Sequence, residues 1–309
     1  MSGPVTSTDV DMVAVPARSQ SGVSDILESR TANVGSIPVR RALPQRARRT
    51  VGAWCFFDHG GPLEAPAGVG GIGPHPHIGL QTVTWMIAGE LLHRDSLGTE
   101  QTIRPGQLNL MTAGAGIVHA EEHTSAGRVE LAQLWIAQPS ATRDGPGEFE
   151  HHAELPEVDL GGGTATVLVG SLGTAVSPAR RDTDHVGVEL SVRSQLVVTT
   201  QPAYEHVVVP MDAPIEVDGR LVEPGRLVYL GPGREELPMR AVEPARVILL
   251  GGVPFEEPIL MWWNYVARTQ EEITVAHADW TQRRERFTVP ASSLAPIDVA
   301  PPPLWAARR

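Results

Sequence analysis

Cysteine is almost absent from this sequence, because Cys55 is the single one among 309 residues. No intrachain disulfide can form, which favours a reducing compartment, and we expect the protein to be cytoplasmic. Lysine is missing altogether, so all 25 basic residues are arginines, a bias typical of a GC-rich genome that indicates a bacterial source. No apolar run approaches the roughly 20 residues that a membrane helix needs. Residues 1–35 also lack the basic start and apolar core of a secretory signal.

Positive charge is scarce relative to negative charge. The chain has 36 acidic residues against 25 basic ones and a formal net charge of −11 at pH 7. This balance opposes nonspecific binding to nucleic acid or to an anionic membrane, and we expect neither as a partner. Aromatic residues make up only 5%, whereas 31 glycines and 27 prolines are typical of many short strands separated by turns.

Short apolar runs alternate with turn residues along most of the chain, and this alternation predicts an all-β protein. The apolar content of 41% is sufficient for two domain cores. The predicted organisation has five parts. Residues 1–35 are a polar lead-in with room for one strand, residues 36–140 a first strand-rich domain, and residues 141–163 a Pro-, Gly- and acid-rich linker. Residues 164–256 are a second strand-rich domain, and residues 257–309 a C-terminal helix with a Pro-rich tail.

A repeated turn links the two strand-rich domains. Residues 104–108 (Arg-Pro-Gly-Gln-Leu) are similar to residues 223–227 (Glu-Pro-Gly-Arg-Leu). A glycine, Gly114 or Gly233, follows at the same distance after each proline. Two tandem copies of one barrel explain this match most economically.

The C-terminal region changes its period. Residues 269–272 (Thr-Gln-Glu-Glu) fit a capping box, with Thr269 as N-cap and Glu272 at the third helical position. Ile273, Ala276 and Trp280 then recur at helical intervals, so we predict one amphipathic helix that extends to about Arg286. The prolines that follow it permit only a docked extended segment.

Two pairs of potential metal ligands share one spacing. His75 and His77 stand two residues apart, as do His119 and Glu121. Residues two apart on a strand point to the same face, so two neighbouring strands inside a barrel would bring three imidazoles and one carboxylate to one point. A lone histidine is more often a surface or satisfied core residue, but this combination is specific. It predicts one divalent transition metal with open coordination positions.

Three segments resemble the pirin family of bicupins. Residues 73–79 contain the first ligand pair, residues 111–121 contain the second, and residues 89–98 lie between them. Shorter similarities occur at residues 48–51, 57–60 and 258–264, and the resemblance covers roughly residues 35 to 290. It implies two tandem cupin (jelly-roll-like) β-barrels with a C-terminal helix. It also implies one metal, usually iron, held in the first barrel by the positions of His75, His77, His119 and Glu121. Fe²⁺ is therefore the expected ion, while the donor types also admit manganese, nickel, copper or zinc.

The second copy and two departures from the family pattern qualify this expectation. Around His206 there is no His-x-His pair, and no imidazole follows Gly233, so we expect no metal in the second barrel. Gln81 stands where pirins commonly carry a glutamate that is a ligand in other cupins, which assigns the fourth-ligand role to Glu121. Ala115 replaces a usual arginine, and we expect this to remove a cation near the pocket mouth.

The resemblance also implies an activity, because pirins are often flavonol-cleaving dioxygenases. A flavonol such as quercetin would bind the metal through its hydroxyl together with O₂, and Glu121 would accept the hydroxyl proton as general base. Trp85, Met111 and Ile117 are the predicted apolar walls. The alternative is a regulator that binds a transcription factor or a metabolic enzyme, with the redox state of the metal as the switch.

Several other polar residues have simpler interpretations. Asp58 and His59 are candidates for residues that support the metal ligands without binding the ion, although a turn cap is the preferred interpretation of Asp58. We predict that His93 and His123 are not ligands. We also expect solvated side chains at His151 and His152, and an inert buried thiol at Cys55. The arginines between residues 40 and 49 are expected to form an ion-paired face.

Overall fold

Antiparallel strands make up most of this protein. The computed structural model describes residues 11–12 and 24–302, apart from residues 47, 67 and 69. Within this part of the chain the first strands are β1 (Asp11–Met12), β2 (Ser24–Glu28), β3 (Arg30–Val34), β4 (Ile37–Leu43), β5 (Trp54–Ala65), β6 (Gly71–His77), β7 (Leu80–Ala88), β8 (Leu91–Asp95), β9 (Glu100–Ile103), β10 (Leu108–Thr112), β11 (Ile117–His123), β12 (Gly127–Ala137) and β13 (Glu148–His152).

The remaining elements lie C-terminal to residue 156. The strands are β14 (Glu157–Asp159), β15 (Gly163–Val169), β16 (Ser171–Leu172), β17 (Ala175–Val176), β18 (His185–Val192), β19 (Gln195–Thr199), β20 (Glu205–Pro210), β21 (Ile215–Val217), β22 (Arg220–Val222), β23 (Arg226–Leu230), β24 (Glu236–Ala241), β25 (Ala245–Gly252), β26 (Leu260–Trp262) and β27 (Tyr265–Ala267). One α-helix, α1 (Gln270–Thr281), and one 3₁₀ turn, Glu285–Phe287, follow. The all-β prediction with a C-terminal helix is confirmed.

Two barrels repeat one topology. In the first barrel, a seven-stranded sheet in the order β13-β10-β7-β12-β5-β4-β3 accompanies a four-stranded sheet in the order β6-β11-β8-β9. In the second barrel the orders are β2-β23-β20-β25-β18-β15-β14 and β19-β24-β21-β22. The strands that follow the two repeated Pro-Gly turns, β10 and β23, occupy the same place in their sheets. The prediction of two tandem cupin barrels is therefore confirmed, while the exact domain boundaries stay a prediction.

The edge strands of the large sheets come from segments outside the predicted barrels. β2, from the predicted lead-in, pairs with β23 of the second barrel, with Ser24 opposite Leu230. β13, from the predicted linker, pairs with β10 of the first barrel, with Leu108 opposite His152. The described part of the lead-in thus holds three strands, β1, β2 and β3, where room for one was predicted, while most of the segment before residue 24 lies outside the described residues.

The two barrels share one apolar core. It joins Trp54, Phe56 and Trp135 of the first barrel to Tyr229 and Leu250 of the second. The indole N–H of Trp54, in the first barrel, donates to the carbonyl oxygen of Val186, in the second, at 3.1 Å. The same core contains the Cys55 thiol, whose pKa burial raises to about 12, so this thiol is protonated and inert as expected.

Helix α1 begins at the predicted capping box. The hydroxyl of Thr269 accepts from the backbone N–H of Glu272 at 3.2 Å, while the Glu272 carboxylate accepts from the N–H of Arg268. The helix ends at Thr281, before the predicted Arg286, because Arg283 takes the left-handed conformation at φ +51°. No helix in the described part of the chain is long and apolar enough to span a membrane.

The C-terminal segment packs on the first barrel. Ile273, Ala276 and Trp280 are fully buried, as predicted, in a cluster with the aromatic residues of β26 and β27. Beyond the helix, Trp280 Nε1 donates to the carbonyl of Ile297 at 3.0 Å, and the N–H of Ile297 donates to the carbonyl of Pro74 in β6 at 2.9 Å. The tail is therefore a docked extended segment up to residue 302, and the last prolines lie partly outside the described residues.

Candidate metal centre

The two predicted ligand pairs lie on adjacent strands. β6 and β11 pair antiparallel, with His119 opposite His75 and Ile117 opposite His77, and a bulge separates His119 from Glu121. The bend before the first pair depends on Gly73, where a Cβ would meet the carbonyl oxygen of Ala295 at 2.1 Å. Only glycine lets the C-terminal tail cross β6 this closely.

Three imidazoles converge at this pairing. His75, His77 and His119 are each at most 2% exposed, and their potential ligand atoms lie within 4.8 Å of one another. The ring centroids of His75 and His119 are 4.4 Å apart, and each is 5.0 Å from that of His77. Three imidazoles in this arrangement are suited to hold one metal ion.

Hydrogen bonds fix which ring nitrogen of each histidine faces the common point. The Nδ1 of His75 donates to the carbonyl of Gly73 at 2.8 Å, and the Nδ1 of His77 donates to the carbonyl of Asn264 at 3.0 Å. The Nδ1 of His119 lies 3.4 Å from the Nδ1 of His93. Each Nδ1 is thus engaged, and the three Nε2 atoms remain as ligands.

The electrostatics of the triad fit a bound cation. Burial lowers the pKa of His75 to about 3 and lowers the pKa values of His77 and His119 well below their usual range. The rings are therefore neutral at pH 7, yet Nε2 of His77 and Nε2 of His119 are only 3.1 Å apart. With both Nδ1 atoms protonated, two lone pairs face each other at this distance, and a divalent metal between them would remove the repulsion.

Glu121 lies beside the triad but outside its tightest cluster. The carboxylate is 5% exposed and lines the same cavity as the three histidines. Its Oε1 accepts from the hydroxyl of Thr84 at 3.2 Å, and burial raises its pKa. Burial therefore makes this carboxylate a stronger base than an exposed glutamate.

The ligands open into a small, mostly apolar cavity between the two sheets of the first barrel. Its volume is about 40 Å³, which holds an ion and a few water molecules. Besides the four predicted ligands, it is lined by Val34, Ile37, Val39, Phe56, Asp58, Gly60, Ile72, Leu131, Gln133 and Trp135.

The predicted walls are wrong. None of the three lines the cavity: Trp85 donates its indole N–H to Glu189 of the second barrel, and Met111 and Ile117 are buried outside the cavity lining. The actual walls, Phe56 and Trp135, stack on each other with centroids 4.1 Å apart. The sequence could not distinguish these sets, because every apolar strand residue alternates with neighbours that face the other side of the sheet.

Neither departure from the family pattern lies in the cavity wall. Gln81 donates to the hydroxyl of Thr112 at 3.1 Å, away from the triad. Ala115 is exposed in a separate surface groove, where the guanidinium of Arg286 donates to its carbonyl at 3.0 Å. The expected loss of a cation at the pocket mouth is therefore wrong, because residue 115 lies elsewhere and Arg286 supplies positive charge beside it.

Asp58 belongs to the cavity lining, against the preferred interpretation as a turn cap. It lies within β5 opposite Gln133, so it does not cap a turn, and both of its oxygens accept from the buried guanidinium of Arg41, at 2.8 and 2.6 Å. His59 points to the other face of β5, where its Nε2 donates to Glu130 at 2.9 Å. The hydrogen bond from His59 and the charge of Arg128 hold the pKa of Glu130 at about 2.

The strands of the second barrel that correspond to β6 and β11 carry apolar side chains inward. They are β19 and β24, and their buried residues are Leu196, Val198, Leu237, Met239 and Ala241. His206 lies on β20, buried, and its Nδ1 has no partner among the described residues. No second cluster of three ligand residues is found in the described part of the chain.

The other histidines take varied places. His93 is buried behind His119, and His123 ends β11 with neither ring nitrogen bonded to a described residue. His151 and His152 are not solvated as predicted; they are half-buried in β13 and bond to Asn109 and Glu150.

The sequence matches two protein-family descriptions. Residues 36–136 match Pirin, and residues 185–287 match the Pirin C-terminal cupin domain. These two segments coincide with most of the first barrel, and with most of the second barrel and the C-terminal helix.

Individual proteins match over most of the chain. A Pseudomonas aeruginosa protein with the provisional name quercetin 2,3-dioxygenase is 46% identical over 282 residues, which is 90% of each chain. A pirin-like protein of Caulobacter vibrioides is 34% identical and covers 85% of this chain and 94% of its own. The crystal structure of a quercetin 2,3-dioxygenase from Acinetobacter baumannii matches with a TM-score of 0.87 at 40% identity, over 93% of this chain and 97% of that one.

Proposed function

The chain belongs to the pirin family, and from that premise we propose that it is a metal-dependent dioxygenase that acts on a flavonol such as quercetin. The observation that carries the proposal is the triad His75, His77 and His119, which converges in a buried cavity beside the carboxylate of Glu121. The names of the two similar quercetin 2,3-dioxygenases support the substrate class.

The proposed ion is Fe²⁺, held by the Nε2 atoms of His75, His77 and His119, with Glu121 as a weak fourth ligand. Manganese, nickel, copper and zinc suit the same donors. When bound, the metal supplies redox chemistry with O₂ and Lewis acidity toward a hydroxyl group. The imidazoles hold the ion without adding charge, and this leaves the net positive charge that an anionic oxygen ligand requires.

Glu121 is the proposed general base. Its raised pKa increases the affinity of the carboxylate for the proton of the flavonol 3-hydroxyl, which it would accept on a carboxylate oxygen. The Thr84 hydroxyl holds the other side of this group in place. Phe56 and Trp135 line the cavity with apolar surface, which is suited to an aromatic substrate.

Substrate entry requires the cavity to widen, because about 40 Å³ is far too small for a flavonol. The wall residues Val34, Ile37 and Val39 belong to the β3–β4 hairpin, and β3 is the edge strand of its sheet. An edge hairpin is bonded to the sheet on one side only, so it can move at a lower cost than a central strand.

The small size of the cavity favours a second candidate function. An ion in so small a space is suited to a redox- or metal-responsive regulator that binds a transcription factor or a metabolic enzyme. In that case the outer surface carries the function, and no proton transfer by Glu121 is needed.

The proposed small-molecule partners are the flavonol and O₂, without nucleic acid or membrane. The net charge of −11 supports this choice, since it repels polyanions. The cytoplasm is the proposed compartment, because the single cysteine is buried and unsuited to disulfide chemistry.

Oxygen uptake distinguishes the two functions. The protein is purified, its metal is identified by elemental analysis, and O₂ consumption is followed with quercetin for wild type and His75→Ala. Uptake by wild type above the variant supports the dioxygenase. No uptake with any of the five metals, at full metal loading, refutes it and favours the regulator.

A further inference from the structure

The three ligand histidines are anchored in different ways. His75 and His77 donate their Nδ1–H to neutral backbone carbonyls, of Gly73 and Asn264. His119 instead faces a second imidazole, with its Nδ1 at 3.4 Å from the Nδ1 of His93. This difference sets His119 apart from the other two ligands.

His93 is in turn held by a buried carboxylate. Its Nε2 donates to Oδ2 of Asp95 at 3.1 Å, and both side chains are almost completely buried. The other oxygen of Asp95 accepts from the backbone N–H groups of Leu97 and Thr99, at 2.9 and 3.0 Å. The ring of His93 also stacks on Phe149, with centroids 4.4 Å apart. The turn after β8 thus fixes the carboxylate, and the carboxylate and Phe149 fix the ring.

The proton positions along this chain follow from its acceptor end. An ionised carboxylate only accepts, so Nε2 of His93 carries the proton and Nδ1 of His93 has a lone pair. That lone pair can accept only if Nδ1 of His119 carries a proton, and Nε2 of His119 is then free to bind the ion. Asp95 therefore selects, through His93, the tautomer of His119 that can bind the metal with Nε2.

We propose that His93 and Asp95 are positioning residues that fix the tautomer of His119 and, through the negative charge of Asp95, make His119 the strongest of the three imidazole donors. This inference rests on the proposed metal centre, although it requires no dioxygenase activity. Partners of this kind typically change metal affinity by 10- to 100-fold.

The test uses Co²⁺ as the probe, because its visible spectrum reports the ligand field and its affinity can be measured against a chelator. His93→Phe keeps the stacking on Phe149 but removes the acceptor, and we expect Co²⁺ affinity to fall by roughly 10- to 100-fold. His93→Asn places an amide oxygen near the former Nδ1 and so restores the acceptor without the link to Asp95, and we expect a loss clearly smaller than that of His93→Phe. Asp95→Asn presents an N–H group to one of its donors, and we expect roughly a tenfold loss or more.

The matched control is His123→Phe. His123 is a buried histidine on the same strand as His119, and neither of its ring nitrogens bonds to a described residue. We expect this variant to bind Co²⁺ as wild type does, with an unchanged spectrum. Thermal unfolding of the metal-free proteins shows whether His93→Phe and His123→Phe have comparable stability.

The hydrogen-bond chain from Asp95 through His93 to His119 is called the relay below. Each outcome tests either this relay or the metal centre itself. Wild-type affinity and spectrum in His93→Phe would overturn the relay and leave the metal centre intact. An equal loss in His93→Phe and His93→Asn, with no rescue by the amide, would also overturn it, because packing alone would then explain the loss. Wild-type protein that binds no Co²⁺, Fe²⁺ or Ni²⁺ would instead refute the metal centre.

Discussion

Glu121→Gln separates the chemistry of the site from its metal affinity. The amide has the shape of the carboxylate and keeps an oxygen for the Thr84 hydroxyl, so the fold should be unchanged. The three imidazoles form their cluster without Glu121, so we expect the ion to stay bound. The amide cannot accept a proton at neutral pH, and the flavonol hydroxyl would lose its base.

The expected size of the effect follows from the role of a positioned base. Loss of such a group typically slows turnover by roughly 100-fold or more, which is about 2.7 kcal/mol of transition-state stabilisation. Metal content is measured by elemental analysis and turnover by O₂ consumption with quercetin, at matched metal content.

Two companion variants complete the comparison. His77→Ala should lose the metal itself, because it removes one of three strong donors. Thr84→Val leaves the carboxylate in place but removes the hydroxyl that orients it, so we expect a smaller loss of turnover than in Glu121→Gln. Equal turnover in Glu121→Gln and wild type would remove Glu121 from catalysis and refute the mechanism.

Three further predictions concern metal content, the C-terminal segment and acid stability. Elemental analysis should find one metal per chain and a large loss in His119→Ala; two equivalents per chain, or full content in the variant, would contradict a single site. Trp280→Ala should lower the free energy of unfolding by roughly 3–5 kcal/mol in a denaturant titration, because the indole is fully buried. A truncation after Pro258 should yield no soluble metal-loaded protein, and its recovery with full metal would show that the segment is dispensable. Burial lowers the pKa of His206 to about 4, so the unfolded chain binds a proton below pH 6.5 that the folded chain does not. Metal-free protein should therefore lose stability from pH 6.5 down to about 4. His206→Asn should reduce the loss of unfolding free energy between pH 7 and pH 5 by roughly 2 kcal/mol. An unchanged loss in this variant would exclude His206 as its source.

The ligand strands were predictable because their signal is local. A strand fixes the direction of residues two apart, so His75 with His77, and His119 with Glu121, needed only the assumption that the two strands pair. The same holds for helix α1, whose start depends on Thr269 and residues within one turn of it. In both cases the physical cause lies within a few residues of the feature.

The cavity and the relay were not predictable because their causes lie far apart in the sequence. The position of Asp58 in the cavity lining depends on the pairing of β5 with β12, which places Gln133 opposite it. Trp85 lies outside the cavity, where its indole N–H donates to Glu189 of the second barrel. His93 faces His119 through the pairing of β8 with β11. The spacing of His93 and Asp95 at two residues was the one local signal, since it repeats the pattern of the ligand pairs.

The bond from His77 to the carbonyl of Asn264 joins residues 187 positions apart. Asn264 lies in the turn between β26 and β27, beyond the second barrel, where Trp263 takes the left-handed conformation at φ +53°. The hairpin therefore sets the tautomer of one proposed ligand, so an ion on Nε2 of His77 and the docking of the hairpin would stabilise each other by the same free energy, as any two linked equilibria must. Loss of the ion would weaken the hold on the hairpin, and displacement of the hairpin would weaken the hold on the ion.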